Sequence, residues 1–461
     1  MTRWVRGLVM GAVLAGAPAL LRSAETPPDT TAARSAARQA DLAQFKTEFL
    51  TPDRSYAPRA RGEAEARLTA LAARESEMTD VQFELALTRI VGLADNGHTV
   101  AFPGPRSRRY NRVEIRLVPF EDGFYVLRAT VANADLLGSR LVAIDGRPID
   151  SIRRIARTLA GGTFAWRDRN AGYFFESPEQ MNALRVIEES DAATYRFADA
   201  SGKVTERRLV AEPARHDRPR ANADRWLYPE PLAEEAGAWR SLLTPEQAPL
   251  AFREADVPFR SREAPEIAAF AIELRQNNDA GDQPIARFLA EMKRILRERK
   301  PRNLVLDMRM NGGGDLNTTR DFMQELPGLV PGRIFVLTSP WTFSAAISSV
   351  GYLKQAAPDR VTIVGEHVGD RMNFFAEGAL VTLTHSGIAL LNATERHDYL
   401  TGCRGMDDCH ASVVRHPIAV PSLAPEIDAP WTLEAYRAGR DPGMEAIAAA
   451  LRGPGTPSAG G

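Results

Sequence analysis

Apolar and polar positions change their period along the chain, and the change divides it into parts. In "TDVQFELALTRIVGLADNGHT" Phe83, Leu87, Ile90 and Val91 share one face at helical spacing, within a helical stretch running from Asp41 to Ala94. Thr79 and Gln82 make a capping-box pattern at its start, and Asn96 and Gly97 suit a left-handed terminus. His98 follows at once. From Val113 to about Gly162 short β-rich runs alternate with turns, "VEIRLVPFEDGFYVLRA" and "SRLVAIDGRPI", before the helical "SIRRIARTLA". This predicts a small barrel-like module. A mixed region continues to about Leu209, with "TYRFADASGKVTERRL" reading as a hairpin around Ser201 and Gly202. The Arg- and Pro-rich "AEPARHDRPRANADRW" reads as a surface connection carrying His216.

From Ile267 onward the pattern is regular. "IAAFAIEL", "NLVLDMR", "RIFVLTS" and "RVTIVG" read as strands, and "PIARFLAEMKRILRERK", "LNTTRDFMQEL" and "SAAISSVGYLKQA" as the helices between them. Strand and helix in alternation predict an α/β fold, a parallel sheet with right-handed crossovers. In such a sheet every strand-to-helix turn lies beyond the carboxyl ends of the strands, where these folds bind ligands. The turns "MNGGGD" and "PWTFSA" therefore share one edge.

Composition narrows the classes. With 461 residues, 44% of them hydrophobic, the chain has material for two or three domains. A net charge of −1 gives no electrostatic footprint for nucleic acid and no polybasic stretch for an anionic membrane. The opening "MTRWVRGLVMGAVLAGAPALLRSAE" sets Arg3 and Arg6 before a short apolar run, the layout of a secretory signal rather than a membrane span. The two cysteines, Cys403 and Cys409, fit a small disulfide loop in an oxidising compartment, and metal binding there would need further ligands.

The triglycine turn Gly312, Gly313 and Gly314 can present bare backbone N–H groups to an anion. No P-loop Lys and Ser/Thr pair follows it, so an oxyanion hole is the better reading; a plain connecting turn is the other. Ser344 opens a helix whose first turn holds Ala345 and Ala346. It is a nucleophile with the Ala345 N–H as oxyanion donor, or simply an N-cap. A serine nucleophile needs a base. Lys354 lies ten residues on along the same helix, about 15 Å away, which excludes a dyad built on it. Among seven histidines His98 stands out, because a helix end and a strand start would fix its backbone.

"LVLDMRMNGGGDL", "IFVLTSPWTFSAAISS" and "TIVGEHVGDRMNF" resemble the tail-specific (C-terminal processing) and tricorn-core serine peptidases, strongly from about Asn303 to Gly378. The likeness extends more weakly to "DNGHT", to the β-rich module, which looks like a divergent PDZ domain, and to "PEIDAPWTLEAYRAGRDPGMEA". It implies a crotonase/ClpP-like catalytic domain with Ser344 as nucleophile and an oxyanion hole from Gly313, or Gly314, and Ala345. The tail-specific lysine is missing, its neighbourhood reading Gly369, Asp370 and Arg371. The tricorn-like branch draws a histidine from just before the PDZ-like domain, the place of His98. The orienting serine of that branch falls on Gly97, so Asp370 or Glu366 becomes the candidate third member.

The sequence thus predicts an exported, periplasmic or secreted serine peptidase acting on peptides or unstructured protein tails, without metal or cofactor. Its expected parts are a signal segment (1–24), an N-terminal helical region carrying His98 (25–105), a PDZ-like module (106–165), a mixed connecting region (166–250), the catalytic domain (251–450) and a tail (451–461). The PDZ-like module is expected to gate access or to bind a substrate C-terminus by strand addition, though "FEDGFYV" shows no obvious carboxylate-binding loop. A non-proteolytic binding protein of the same fold is the alternative. An α/β-hydrolase esterase fits less well, because "TFSAA" lacks the G-x-S-x-G elbow.

Overall fold

A computed structural model describes residues 30–214, 222–233, 235 and 237–452; the expected signal segment, His216 and the tail beyond 452 lie outside them. Six strands form the central sheet: β1 (Phe259–Ala264), β2 (Ala269–Leu274), β3 (Asn303–Asp307), β4 (Ile334–Thr338), β5 (Val361–Gly365) and, beyond a local antiparallel pair, β8 (Ile427–Asp428). Their order is β8-β5-β4-β3-β2-β1. All neighbours are parallel except β1 and β2. The helices α1 (Ile285–Arg299), α2 (Leu316–Leu329) and α3 (Ala345–Ala356) make the crossovers.

Covering both faces explains the unbroken apolar run of β4. Ile334 and Val336 face one layer with Leu304, Leu306, Ile363 and Val350, while Phe335 and Leu337 face another with Val305, Val364 and Ile447 of the C-terminal helix Pro442–Arg452. A strand buried on both sides shows no alternation. Because β3 and β4 are direct neighbours in register, Leu304 opposite Ile334 and Asp307 opposite Leu337, the two turns that follow them emerge side by side.

The β-rich module is one antiparallel sheet of Ile115–Phe120, Gly123–Thr130, Arg140–Ile144, Ala192–Ala198 and Val204–Val210. The hairpin around Ser201 and Gly202 joins this sheet, with Ile144 opposite Tyr195, so the unit runs well past residue 165. No sequence signal marks that pairing, since strands distant in the chain pair through shared burial and not through a local turn.

The N-terminal helices share a core with Val381, Leu383, Ile388 and Leu390 of the strand pair Leu380–Thr382 and Ala389–Leu391 and the turn joining it. Thr79 and Gln82 form the reciprocal capping box of Asp80–Gly92, a cap of about 1 kcal/mol. The helix stops at Gly92, earlier than Asn96, and Asp95 takes the left-handed turn at φ 52°. Two residues of strand, Val100–Ala101, then pair antiparallel with Ala389–Leu391. That short pairing ties the His98 loop into a small three-stranded sheet with Leu380–Thr382 and Ala389–Leu391, across nearly three hundred residues of sequence. Asp53 strengthens it, accepting hydrogen bonds from Thr99 Oγ1 (3.0 Å) and the Ala393 N–H (2.8 Å). Among the described residues no helix is long and apolar enough to cross a membrane.

Candidate active site

Three hydrogen bonds stitch the two strand-end turns together. The Phe343 N–H donates to the Asn311 carbonyl (3.0 Å), Thr342 Oγ1 to the Met308 carbonyl (2.9 Å) and Ser339 Oγ to the Arg309 carbonyl (2.5 Å). Gly313 ends up so close to the serine that a Cβ there would stand 2.6 Å from Ser344 Cβ and 3.0 Å from the Ala345 nitrogen. Its φ of 103° is also one that side-chain-bearing residues rarely adopt.

Ser344 itself lies at φ 56°, ψ −130°, the left-handed side of the map at the head of α3. A non-glycine residue held there is strained, and such strain is tolerated where the surroundings over-determine it. Its side chain makes no capping bond. The residue is half-buried.

Two buried asparagines set the glycine turn. Asn311 Oδ1 accepts from the Gly313 N–H (2.9 Å), and Asn311 Nδ2 donates to Asn277 Oδ1 (3.0 Å). Asn277 Nδ2 in turn reaches the Ala345 carbonyl (3.0 Å) and Ser349 Oγ (2.9 Å), while its N–H donates to the Gly313 carbonyl (2.7 Å). The Gly313 amide is therefore already committed. The amides of Gly314 and Ala345 make no hydrogen bond among the described residues. Asn277 carries no signal in the sequence beyond its position after β2 at the same sheet edge, in "RQNND".

His98 is 4% exposed and approaches from the other side. Its ring lies between Phe343 (4.2 Å between centroids, 22°) and Phe374 (5.0 Å, 7°). Trp166 stacks on the far face of Phe343 at 3.5 Å, and the Arg169 guanidinium covers Trp166. Asn96 holds the loop by pairing both its amide atoms with the Phe375 backbone, at 2.9 and 3.0 Å. His98 Nδ1 stands 3.3 Å from Asp370 Oδ2, and His98 Nε2 is buried without a hydrogen bond. No hydrogen bond joins Nε2 to Ser344 Oγ in this arrangement.

Asp370 is buried and hangs from a turn pinned to the serine turn, the Gly369 N–H donating to the Thr342 carbonyl at 2.9 Å. The structure does not bring Glu366 to His98. That carboxyl meets the Trp431 backbone, the field of Glu121 and Arg309; burial, with Glu121 adding, pushes its pKa up to about 7 against the Trp431 and Arg309 contributions. Lys354 is occupied at the other end of α3 by the Pro358 and Val361 carbonyls and Glu426. Cys403 and Cys409 are joined in a disulfide (Cα–Cα 6.1 Å) away from this centre.

This arrangement sits on a known scaffold. The chain shares its fold with mature CPAF. The superposition reaches a TM-score of 0.54 at 13% identity, covering 90% of this chain and 97% of that one. Mature CPAF complexed with lactacystin gives 0.52 at 12% identity, with the same coverage of both chains. Tricorn protease superposes with a TM-score of 0.36 at 12% identity, over 90% of this chain and 36% of that one. No family model and no curated relative matches the sequence.

Proposed function

We propose that the chain is an exported serine peptidase in which Ser344 is the nucleophile, His98 the general base and Asp370 the group that orients His98. The observation that carries this reading is the convergence of three things. A strained serine with an unbonded hydroxyl stands beside free backbone amides, and a buried His-Asp pair rests on the side chain of the preceding residue.

Asp370 at Nδ1 selects the tautomer with its proton on Nδ1 and a lone pair on Nε2. A rotation of the Ser344 side chain, or one bridging water, completes the pairing when substrate arrives, since such contacts tighten only in the Michaelis complex. His98 then takes the Ser344 proton as Oγ attacks the peptide carbonyl. The tetrahedral oxyanion is held by the N–H groups of Ala345 and Gly314; Gly313, committed to Asn311, shapes the turn instead. His98 returns the proton to the leaving amine, and a water deprotonated by His98 releases the acyl group. The substrate class is peptides and unstructured protein tails, with the β-rich module beside Trp166 gating access. Export rests on the signal-like N-terminus and the disulfide.

A second reading is favoured by one observation, the absent Ser344 to His98 hydrogen bond: a ligand-binding protein that keeps the fold without turnover. Hydrolysis of an unfolded protein substrate, followed by appearance of new amino termini, decides between them. Turnover abolished in both Ser344→Ala and His98→Ala supports the peptidase. Saturable peptide binding with no new termini supports the binding protein.

A further inference from the structure

Beyond Phe374 the aromatic column that holds His98 continues into a second imidazole. His397 stacks on Phe374 (5.0 Å, 4°), and His410 lies next to His397 (5.4 Å between centroids, 11°). Glu377 joins these two histidines, one ligand atom from each of the three lying within 4.8 Å of the others. His397 is 3% exposed, and its Nε2 makes no hydrogen bond although Glu377 Oε1 is 3.4 Å away. The Nδ1 of His410 is likewise buried and unbonded. Leaving such groups unsatisfied in the interior costs free energy, so a buried nitrogen aimed at a carboxylate and a second imidazole calls for an occupant.

We propose that Glu377, His397 and His410 form a binding site for one divalent transition-metal ion of the zinc class, separate from the serine centre. Two neutral imidazoles and a carboxylate are a donor set suited to zinc, with one coordination position left for water or a further ligand. Zinc takes the Nε2 lone pair of the His397 tautomer whose proton sits on Nδ1, where the Tyr399 hydroxyl oxygen accepts it. Tetrahedral zinc needs donors about 3.3 Å apart, so the cluster closes by small side-chain rotations.

The supporting contacts are of the kind metal ligands use. His397 Nδ1 is 3.0 Å from the Tyr399 hydroxyl, which is 2.6 Å from Ser348 Oγ on α3, an outer shell that fixes the ring. His410 follows Cys409 directly, and its N–H donates to the Arg396 carbonyl (2.9 Å) beside the disulfide, so the 403–409 loop delivers it to β7 (Glu395–Asp398). Glu377 sits at φ 55° just after β6 (Asn373–Ala376), a conformation that costs energy and turns its carboxylate back across the pair. Glu395, 3.9 Å from His410 Nε2, also lines a cleft of about 450 Å³ with Thr51, Pro52, Arg54 and Thr394. With both cysteines in the disulfide, sulfur takes no part.

The test uses the full exported chain, stripped with chelator and titrated with Zn²⁺ by calorimetry, then with Co²⁺ by visible spectroscopy. The expected result is one ion per chain, a tetrahedral Co²⁺ spectrum, and affinity lost by at least about tenfold in Glu377→Gln and in His410→Ala. These two partly exposed positions keep the test sound if His397→Ala does not fold. His98→Ala is expected to keep the site. No binding below millimolar Zn²⁺ overturns the proposal, as does stoichiometric binding that survives Glu377→Gln and His410→Ala or that disappears in His98→Ala.

Discussion

Asp370 Oδ2 lies 3.3 Å from His98 Nδ1 in the space that a side chain at Gly97 would fill: a Cβ there would come within 2.6 Å of that same oxygen. The absent side chain and the buried carboxylate are two halves of one device. Glycine opens the volume, and a turn pinned to the serine loop, far away in sequence, fills it.

Asp370→Asn keeps the shape and removes the charge proposed to select the His98 tautomer. The rate of serine acylation is expected to fall by roughly 10²- to 10⁴-fold with the thermal midpoint little changed. Stopped-flow or gel-based acylation rates, set beside a melting curve, check it. An unchanged rate assigns Asp370 to structure alone.

Gly97→Ala keeps every named catalytic group and still disables the site, because the methyl group meets Asp370 Oδ2 and, at 2.9 Å, Phe343 Cε2. Overpacking of this kind costs roughly 1–3 kcal/mol. The variant should melt lower and acylate at least tenfold more slowly. A crystal structure of the variant should show Asp370 displaced.

Asn311→Ala leaves the Gly313 N–H and Asn277 Oδ1 buried without partners, at roughly 1–3 kcal/mol each. The freed glycine turn no longer presents the Gly314 amide in a fixed direction. A loss of roughly 10²- to 10³-fold in kcat with a smaller change in KM is the expected signature, read from steady-state kinetics on an unfolded substrate.

Much of this is legible in the sequence. The strands and helices from Ile267 onward follow from apolar runs bounded by turns, and neighbouring parallel strands necessarily put the Gly313 and Ser344 turns on one edge. Pattern marks His98 out by its fixed backbone, and the resemblance suggests its role as base; what its ring meets is not legible. Its loop is held by a two-residue strand pairing with Ala389–Leu391 and by the Asn96 bonds to Phe375, too short and too distant to leave a periodic signal. The choice of Asp370 over Glu366 was also closed to pattern, because both follow β5 within a few residues. The turn at Gly369 sends one carboxylate inward and leaves the other at Trp431. The Glu377, His397 and His410 cluster was hidden for the same reason, its residues coming from the turn after β6, from β7 and from the end of the disulfide loop, which only folding assembles.

Glu366 supplies a pH test. Burial raises its pKa from 4.5 to about 7, so between these values the folded chain holds a proton that the unfolded chain releases. Its contribution to stability is complete below about pH 4.5, is lost as pH rises through 7, and then levels off. The shift corresponds to at most about 3 kcal/mol. Glu366→Gln should match the parent near pH 4 and exceed it near pH 8, as read by urea melts across that range.

The most direct measurement is the site of covalent modification by a fluorophosphonate probe, located by peptide mass spectrometry. A single adduct on Ser344, abolished in Ser344→Ala and strongly slowed in His98→Ala, is the predicted result. Failure to label under every condition, or an adduct on another serine with Ser344 untouched, contradicts the assignment of this site as a serine peptidase centre.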